Sequence, residues 1–498
     1  MNHPVLLAID QGTTGTTILL VDAGGAVVDR AYREITQYYP RPGWVEHDAE
    51  EVWRSVVDAT GELLQRTGAS PAGVGITNQR ETFVIWERAS LRPVTPAVVW
   101  QCRRSAEICR ALKDEGHEAL FRARTGLLLD PYFSGTKVRW QLEADPELRH
   151  RAESGALAFG TMDSWLVARL TAGREHLTEP SNASRTLLFD IQSMRWDEEL
   201  CDILGVPTAL LPEVRDSSGD FGRTDPSAFL GLDLPIGGVA GDQQAALFGQ
   251  ACFTPGMCKN TYGTGSFVLL NTGPEPRISQ AGMLATVAWQ LKGEATYAME
   301  GAIFVTGAAL QWLRDGLGLI AAAAEAGPIA AAVQDTGGVY LVPAFTGLGA
   351  PYWDPDARGL LCGLTRGTSR EQVVRAAVEA MAFQTTDVLR AMASEGVRPK
   401  EMRVDGGASV MDALLQFQAD LLEIPVLRAA TAETTALGAC FLAGLAGGVW
   451  ASLDEIADTW REAGRFTPAM AGTERERRVS GWQEAVSRTS YRSSSFLT

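Results

Sequence analysis

The chain has few residues of the kinds that build zinc sites or disulfide frameworks. Among its 498 residues are five histidines and seven cysteines. No two histidines stand four residues apart, so the sequence does not predict a zinc site. The cysteine number is odd and no CxxC pair occurs. This usage is typical of reduced thiols, and we expect a cytoplasmic protein.

Long apolar segments and an excess of basic residues are also missing. Segment 317–333 is rich in alanine, but Glu325, Gly327 and Pro328 interrupt it, so we expect no membrane-spanning helix. The first residues lack the charged start and the cleavage site of a signal peptide. The net charge of −16 disfavours binding to nucleic acid or to an anionic membrane. We therefore expect neither a nucleic-acid partner nor integral membrane association.

Common nucleotide-binding signatures are absent as well. No lysine follows a glycine, which excludes a P-loop. Gly347 and Gly349 are followed by Tyr352 where a Rossmann fingerprint needs glycine. A protein-kinase catalytic loop is also missing. Phosphate binding would therefore depend on other glycine-rich turns.

One such turn is the most informative feature of the sequence. Residues 10–17 read DQGTTGTT and separate two apolar runs, which predicts a strand, a tight turn and a strand. Gly12 and Gly15 allow a sharp turn whose amide groups can bind an anion, and threonine hydroxyls add donors. Asp10 places a carboxylate where a magnesium ion could be held. The pattern suits nucleotide phosphates, although an ordinary β-hairpin turn has a similar sequence.

The same turn occurs again about half a chain later. Residues 262–270 read YGTGSFVLL and repeat the pattern of residues 11–20 with one residue fewer. The spacing is too long for a solenoid repeat and predicts a duplicated domain with two turns facing one nucleotide. Strands alternate with helices elsewhere, which predicts an α/β protein. The predicted elements include strands at 5–10, 16–22, 26–32, 73–77, 96–100 and 401–404, helices at 49–65, 306–314, 369–392 and 412–422, and a long loop at 205–235.

Two polar clusters are candidates for chemistry. Asp242 precedes Gln243 and Gln244 where a predicted strand ends and a helix begins. An aspartate there usually caps the helix, but it can also accept the proton of an attacking alcohol in phosphoryl transfer. Arg80 and Glu81 are neighbours, so they can reach one ligand only from an irregular turn. On a regular strand they would form an exposed pair of little energetic value.

Other candidates have equally plain structural interpretations. Residues 405–407 read DGG between a predicted strand and a helix. Such a turn can bind an adenosine or a phosphate at the helix N-terminus, or it can simply join the two elements. Trp100, Tyr132 and Phe267 have the character of core aromatic residues when each is taken alone.

Taken together, these motifs resemble those of the FGGY carbohydrate kinase family, and within it those of the kinases that phosphorylate glycerol. The resemblance extends from residue 10 to residue 468, so it covers almost the whole chain. The blocks that carry it are DQGTT at 10–14, PGWVEHD at 42–48, GITNQRET at 75–82, VWQCRR at 99–104, DPYFSGTK at 130–137, GDQQ at 241–244, NTYGTG at 260–265, PAFTGLGAPYW at 343–353 and FTP at 466–468.

The resemblance implies an α/β fold with two actin/ribonuclease-H-like domains and an interdomain active-site cleft. An N-terminal FGGY kinase domain would occupy residues 1–240 and hold most of the glycerol site. A C-terminal FGGY kinase domain would occupy residues 241–498 and hold most of the nucleotide site. The implied reaction converts ATP and glycerol to ADP and sn-glycerol 3-phosphate, the opening step of glycerol catabolism, by direct in-line transfer. ATP and Mg²⁺ would be the cofactors, and we expect a homodimer or homotetramer.

The resemblance also assigns roles to residues. Asp242 would be the general base, and Asp10 and Asp242 would hold the metal ion. The glycerol contacts would be Arg80, Glu81, Trp100, Tyr132, Asp242, Gln243 and Phe267. The nucleotide contacts would be Thr13, Thr14, Gly15, Thr264, Gly307, Gln311 and Gly407. Such a glycerol site combines groups that pair with three hydroxyls and rings that cover the carbons, and it would reject analogues that leave buried polar groups unpaired.

The sequence departs from the family pattern at the nucleotide site and in one loop. Where the family has Ser-Ser-Arg, this chain has Gly15, Thr16 and Thr17, and Met411 replaces an expected asparagine. The missing arginine predicts weaker phosphate binding. The loop before Pro235 lacks the Gly-Gly-Thr-Arg stretch linked to fructose 1,6-bisphosphate inhibition, so we expect that control to be weak or absent.

Two alternative functions are left open by the sequence. One is a kinase for another small polyol or ketose of the same family, but a pentulose would need the room that Trp100 and Phe267 occupy. The other is a non-catalytic ATP-gated protein of the actin-like superfamily. Such a protein would have no use for Asp242 together with Arg80 and Glu81.

Overall fold

The computed structural model describes residues 4–489 and contains two large mixed β-sheets with the same strand pattern. The elements of the first half are β1 (Val5–Gln11), β2 (Gly15–Asp22), β3 (Val27–Glu34), β4 (Glu46–His47), α1 (Ala49–Thr67), β5 (Pro71–Asn78), β6 (Phe83–Glu87), β7 (Ala97–Val98), α2 (Ala106–Asp114), α3 (Glu118–Thr125), α4 (Ser134–Ala144), α5 (Pro146–Glu153), β8 (Leu157–Thr161), α6 (Met162–Leu170), β9 (Leu177–Thr178), α7 (Pro180–Ala183), β10 (Phe189–Asp190), β11 (Arg195–Trp196), α8 (Glu198–Leu204), β12 (Glu213–Val214) and β13 (Ile236–Gly241).

The second half continues without a long linker. Its elements are α9 (Asp242–Gly249), β14 (Met257–Tyr262), β15 (Ser266–Gly273), β16 (Leu284–Leu291), β17 (Glu294–Ile303), α10 (Gly307–Asp315), α11 (Ala326–Ala331), β18 (Tyr340–Val342), β19 (Leu360–Cys362), α12 (Arg370–Ser394), β20 (Glu401–Asp405), α13 (Asp412–Leu422), β21 (Val426–Ala429), α14 (Thr434–Ala446), α15 (Leu453–Ala457), β22 (Glu462–Phe466) and α16 (Gly472–Thr489).

The two large sheets confirm the predicted duplication. The first has the order β13-β5-β1-β2-β3, with β1, β2 and β3 antiparallel and β5 and β13 parallel to β1. The second has the order β16-β17-β15-β14-β20-β21-β22, in which β14, β15 and β17 are antiparallel and β20 and β21 are parallel to β14. Strand β14 therefore corresponds to β1 and β15 to β2. Each repeated turn joins the first two strands of its sheet.

Helix α1 shows how a local sequence pattern produces an element. Asp48 accepts a hydrogen bond from the backbone N–H of Glu50 as the N-cap, and Gly68 ends the helix in the left-handed conformation. Val52, Val56 and Leu63 lie on one buried face at helical spacing. The prediction of a helix with Asp48 as its cap is confirmed, and the helix extends two residues beyond the predicted end.

Strand β1 is covered on both faces, because α1 packs on one and α14 on the other. Leu7 and Ile9 share a core cluster with residues of α1, whereas Leu6 and Ala8 share one with residues of α14. Helix α14 belongs to the second half of the chain, so the halves interlock. Strand β13 ends the first sheet at Gly241, and α9 follows at once. The boundary between residues 240 and 241 stays a prediction.

Several predicted elements differ in extent from the observed ones. The strand predicted at 96–100 is only the two-residue β7, because turns surround it. The predicted loop at 205–235 contains the short strand β12 and otherwise lacks regular strands and α-helices. All seven cysteines lie within the described residues and carry free thiols. None of the helices formed by residues 4–489 has the length and apolar character to cross a bilayer.

Close backbone packing of α14 generates a stability prediction. A Cβ on Gly438 would lie 1.9 Å from the carbonyl oxygen of Ala245 in α9. We therefore expect Gly438→Ala to lower the free energy of unfolding by about 1–3 kcal/mol or more. Gly61→Ala is the matched control, since Gly61 also lies within a helix but its nearest neighbour, Leu230, is 3.6 Å away. That control should gain about 0.5–1 kcal/mol from helix propensity. Urea unfolding of both variants tests this, and equal stabilities would contradict the packing.

Candidate functional site

The candidate site lies where the carboxyl ends of three parallel strands meet. Asp10 in β1 pairs with Thr77 in β5, which in turn pairs with Ala240 in β13. The chain leaves β5 and β13 at this same edge, so Asp10, the turn at 79–82 and Asp242 are neighbours. Ligands of α/β sheets bind at such carboxyl ends.

The turn after β5 is irregular, which is the condition for Arg80 and Glu81 to reach one ligand. Glu81 has a φ of 61°, and the backbone N–H of Thr82 donates to the carbonyl of Arg80 over 2.7 Å. Arg80 is 2% exposed and Glu81 is 1% exposed. The interpretation as an exposed surface pair is therefore wrong. The irregular backbone instead directs both charged side chains into the interior.

A cluster of four buried charges, Arg80, Glu81, Arg185 and Glu300, forms the floor of the site. Nη2 of Arg80 and Nη2 of Arg185 each donate to Oε1 of Glu300 over 3.0 Å, and Nη1 of Arg80 donates to its second oxygen. Nε of Arg185 donates to Oε1 of Glu81 over 2.7 Å. Burial opposes ionisation of Glu300, but the two guanidinium groups outweigh it and lower its pKa to about 2. The cluster joins both halves of the chain, because Glu300 lies in β17.

Sequence reasoning missed Arg185 and Glu300. Glu300 is the single charged residue in the apolar stretch 297–303. A lone charge in a buried strand could have indicated a functional residue. Arg185 follows α7 in a stretch with no local pattern that points to a ligand. Their pairing joins positions 115 residues apart in sequence. Neither partner identifies the other without the fold.

Asp242 stands beside this floor at the start of α9. Gly241 occupies the N-cap position and Asp242 is the first helical residue, so the interpretation of Asp242 as the helix cap is wrong. Its Oδ1 accepts from the backbone N–H of Gln243 over 2.8 Å and lies 3.3 Å from Nε of Arg80. Burial raises the pKa of Asp242, while Arg80 and Lys259 act in the opposite direction. Its side chain is still 28% exposed, so a ligand can reach it.

Lys259 in β14 is a second residue that the sequence did not indicate. Its buried Nζ donates to the side-chain oxygen of Gln243 and to Oγ1 of Thr261, the latter over 3.1 Å. Burial lowers the pKa of Lys259 to about 8, against the opposing effect of Asp405 and Asp242. Gln243 is thus oriented by a cation from the other sheet.

Aromatic side chains form the walls above the floor. The rings of Trp100 and Tyr132 meet edge to face, with centroids 5.6 Å apart. Oη of Tyr132 lies 3.4 Å from Nη2 of Arg80, and the Phe267 ring centroid lies 5.9 Å from the same guanidinium group. The structure therefore brings together the predicted glycerol contacts Arg80, Glu81, Trp100, Tyr132, Asp242, Gln243 and Phe267.

A direct hydrogen bond joins this pocket to the first glycine turn. Nε1 of Trp100 donates to Oγ1 of Thr13 over 2.9 Å. Gln79 supports the same turn, since its Nε2 donates to Oε1 of Gln11 over 3.1 Å and to the carbonyl of Gly12 over 3.3 Å. The turn at Thr13, Thr14 and Gly15 is thus held from the pocket side.

The second glycine turn lies against α10 and the DGG turn. The backbone N–H of Gly307 donates to the carbonyl of Gly263 over 3.0 Å. A Cβ on Gly307 would lie 2.5 Å from that carbonyl oxygen, and a Cβ on Gly406, whose φ is 86°, would lie 2.5 Å from that of Tyr262. Thr264, Gly307 and Gly407 are therefore brought together, and Gln311 follows one turn along α10 with an exposed side chain.

Three further positions near the predicted nucleotide site are Asp405, Met411 and Asp10. Asp405 is buried and accepts from Nε2 of Gln250 over 2.7 Å and from the hydroxyl of Thr434, so it anchors the start of α14. Met411 is buried, with its Cγ 2.9 Å from where a Cβ on Gly327 would lie. Burial, Asp242 and Glu433 together raise the pKa of Asp10 to about 8.

The charged floor yields a prediction about stability. Glu300→Ala would leave two buried guanidinium groups with Glu81 as their one fully buried carboxylate, and we expect it to lower the free energy of unfolding by about 3–5 kcal/mol. Glu294→Ala, at an exposed position of the same strand, is the control and should change it by less than about 0.5 kcal/mol. Denaturant titration measures both. Equal stability of the two variants would show that the cluster does not hold the halves together.

Comparisons with known proteins agree with this arrangement. The model of the N-terminal domain of the FGGY family of carbohydrate kinases matches residues 5–249, and that of its C-terminal domain matches residues 258–447. A glycerol kinase of Carboxydothermus hydrogenoformans is 53% identical over 492 residues, which cover 98% of each chain. A glycerol kinase of Xanthomonas axonopodis pv. citri is 54% identical over 493 residues, covering 98% of this chain and 99% of its own.

The structural comparison leads to the same family. Glycerol kinase of Plasmodium falciparum, solved with ADP, has a TM-score of 0.93 at 34% sequence identity, covering 98% of this chain and 99% of its own. The expected two-domain α/β fold is thereby confirmed. The two matched family models cover most of the sequence, in the order in which the two sheets occur. The chain therefore belongs to the FGGY family of carbohydrate kinases.

Proposed function

We propose that the protein transfers the γ-phosphoryl group of ATP to glycerol, giving ADP and sn-glycerol 3-phosphate. The observation that carries this proposal is the pocket of Arg80, Asp242, Trp100 and Tyr132, joined to the first glycine turn by the Trp100–Thr13 hydrogen bond. Relatives more than half identical over nearly the whole chain are named glycerol kinase. The ADP-bound structural relative supports nucleotide binding by the same fold.

The pocket suits a small triol. Glu81 and Asp242 offer carboxylate oxygens to hydroxyl protons, and Arg80 offers N–H groups to hydroxyl oxygens. Trp100 and Phe267 supply apolar surface for the carbon chain. The charged side chains are held in fixed positions by their partners, so a substrate lacking a hydroxyl would leave a polar atom that faces the pocket without its hydrogen bond to the ligand.

Asp242 is our candidate for the general base, and in-line transfer is the proposed course. Its carboxylate is accessible, lies next to Arg80 and is desolvated enough for its pKa to rise. It would take the proton of the attacking hydroxyl as the phosphoryl group is transferred. In phosphoryl transfer through a loose transition state, the alignment of the attacking hydroxyl with the γ-phosphoryl group contributes to the rate alongside the base.

Two turns on different sheets would hold the nucleotide. Thr13, Thr14 and Gly15 would bind phosphate from the first sheet, and the contacts from the second would be Thr264, Gly307, Gln311 and Gly407. Asp10 and Asp242 fit Mg²⁺, because burial and the nearby Asp242 carboxylate both disfavour ionisation of Asp10 without a cation, and both side chains offer hard oxygen ligands. When bound, Mg²⁺ would neutralise phosphate charge. Within residues 4–489 there is no cluster of three metal-ligating side chains, and Mg²⁺ shared with ATP phosphates does not require one.

The remaining proposals concern the setting of the reaction. We place the domain boundary between residues 240 and 241; the N-terminal family model ends at residue 249 and the C-terminal one begins at residue 258. The free thiols support a reducing cytoplasm. A homodimer or homotetramer is the proposed assembly, on the family resemblance alone.

A substrate panel tests the activity. ADP release would be measured with glycerol, dihydroxyacetone, erythritol and xylulose at a fixed ATP concentration. We expect glycerol to give the highest kcat/KM, because the aromatic walls limit the carbon chain. A preference for xylulose would instead indicate a ketose kinase. ATP binding with no phosphorylation of any of the four would favour an ATP-gated protein.

The role of Asp242 has its own test. Asp242→Asn keeps the side-chain shape but cannot accept the proton, so we expect kcat to fall by about 10²- to 10⁴-fold. Asp454→Asn, at an exposed aspartate in the first turn of α15, is the control and should retain the kcat of the parent. Steady-state kinetics with glycerol and ATP measure both. A near-normal kcat for Asp242→Asn would rule it out as the base.

A further inference from the structure

Tyr32 in β3 presents its hydroxyl to the first glycine turn. The residue is 46% exposed, and its Oη lies 3.3 Å from the carbonyl oxygen of Thr14. That separation is longer than a normal O–H···O hydrogen bond. The phenol is therefore close to the turn but only weakly bonded to it.

The glycine at position 15 makes room for this phenol. A Cβ on Gly15 would lie 2.4 Å from Oη of Tyr32, 2.5 Å from its Cζ and 2.5 Å from the backbone carbonyl oxygen of Arg33. The backbone of Gly15 is not among the positive-φ positions, so the conformation itself does not require glycine. The missing side chain instead provides space, which the Tyr32 phenol shares with the backbone carbonyl of Arg33.

Strand pairing places Tyr32 on the face of the sheet that carries Asp10. Thr17 pairs with Asp10 on one side and with Tyr32 on the other. Directly paired residues of adjacent strands project from the same face. Asp10, Thr17 and Tyr32 therefore form a row beside the turn, at the position where nucleotide phosphates are proposed to bind.

The two arginines nearest to Tyr32 in sequence are already engaged. Arg30 pairs with Glu433 over 2.5 Å, and Arg33 pairs with Glu62. Thr17 has a short side chain with a single hydroxyl. Of the side chains in this row, the Tyr32 phenol is thus the one long enough to donate a hydrogen bond beyond the turn. It can exchange its weak contact with the Thr14 carbonyl for a stronger hydrogen bond to a charged acceptor.

We propose that the Tyr32 hydroxyl donates a hydrogen bond to the polyphosphate of the bound nucleotide, with Gly15 providing the space. The inference rests on the proposed function in one respect, namely that the first turn binds nucleotide. Exchange of the Thr14 carbonyl for a phosphate oxygen would strengthen the bond without moving the ring far. Tyr32 then supplies a phosphate donor from β3 where Thr17 cannot reach.

Tyr32→Phe tests the proposal, since it removes the hydroxyl and keeps the ring. We expect ADP, measured by calorimetry without glycerol, to bind about 5- to 20-fold more weakly, and the KM for ATP to rise similarly. The glycerol KM and the thermal midpoint should not change. Tyr39→Phe is the matched control, because Tyr39 is also exposed and its Oη contacts Gln37 instead. Unchanged ADP affinity in Tyr32→Phe would overturn the proposal.

A second variant tests the space beside the turn. Gly15→Ala should displace the phenol and weaken ADP binding at least as much as Tyr32→Phe, because the added methyl group also meets the backbone carbonyl of Arg33. The double variant should then be no worse than Gly15→Ala alone, because that variant has already lost the phenol contact. Additive losses would show that Gly15 and Tyr32 act independently, which contradicts the proposed pairing.

Ligand comparisons separate this inference from the proposed function. If Tyr32→Phe weakens the binding of ADP but not of adenosine, the contact is to phosphate, whereas equal losses for both ligands would overturn the proposal. If Tyr32→Phe weakens only the binding of sn-glycerol 3-phosphate, Tyr32 contacts the product instead, which would also overturn the proposal. Arg30→Ala should leave ADP affinity unchanged, and a loss there with none in Tyr32→Phe would transfer the role to Arg30. If the parent protein binds no adenine nucleotide at all, the proposed function fails whatever the state of Tyr32.

Discussion

The carboxylate of Glu300, held between the guanidinium groups of Arg80 and Arg185, is the interaction on which the site depends. Each buried charge costs several kcal/mol to desolvate, and the cluster is tolerable only because every charge has an opposite partner. Glu300 comes from the second sheet, while both arginines come from the first half of the chain. The pairing therefore fixes the relative position of the two halves at the floor of the cleft, and it aims Arg80 at Asp242 and Tyr132.

A fixed floor constrains how the rest of the cleft can move. Arg80 and Glu300 join the two sheets below the pocket, and α14 packs backbone to backbone on β5 of the first sheet, where a Cβ on Gly75 would lie 2.1 Å from the carbonyl oxygen of Ala439. Both contacts resist sliding. The position of Arg80 beside Asp242 is therefore set before a substrate binds. Preorganised polar groups of this kind need no rearrangement when the reaction occurs.

The sequence was sufficient for features that have local signals, and insufficient for those that depend on distant pairing. Helix α1 was predictable from its cap and its apolar spacing, and the duplicated turn was visible because its residues are contiguous. Glu300, Arg185 and Lys259 were not, since their partners lie far away in sequence and in other elements. The position of Asp242 was misjudged for a smaller reason: Gly241 takes the cap position, which leaves the carboxylate facing the cleft.

The residues that differ from the family pattern at the first glycine turn are explained differently by the sequence and by the structure. By sequence, Gly15 and Thr17 are losses at a turn proposed to bind phosphate. In the fold, a Cβ on Gly15 would lie 2.4 Å from the Tyr32 hydroxyl, which comes from the adjacent strand. A phosphate can accept a hydrogen bond from any donor atom at the right distance, whichever position of the sequence supplies it. The space at Gly15 and the phenol at Tyr32 therefore have to be judged as a pair, because neither has the same consequence without the other.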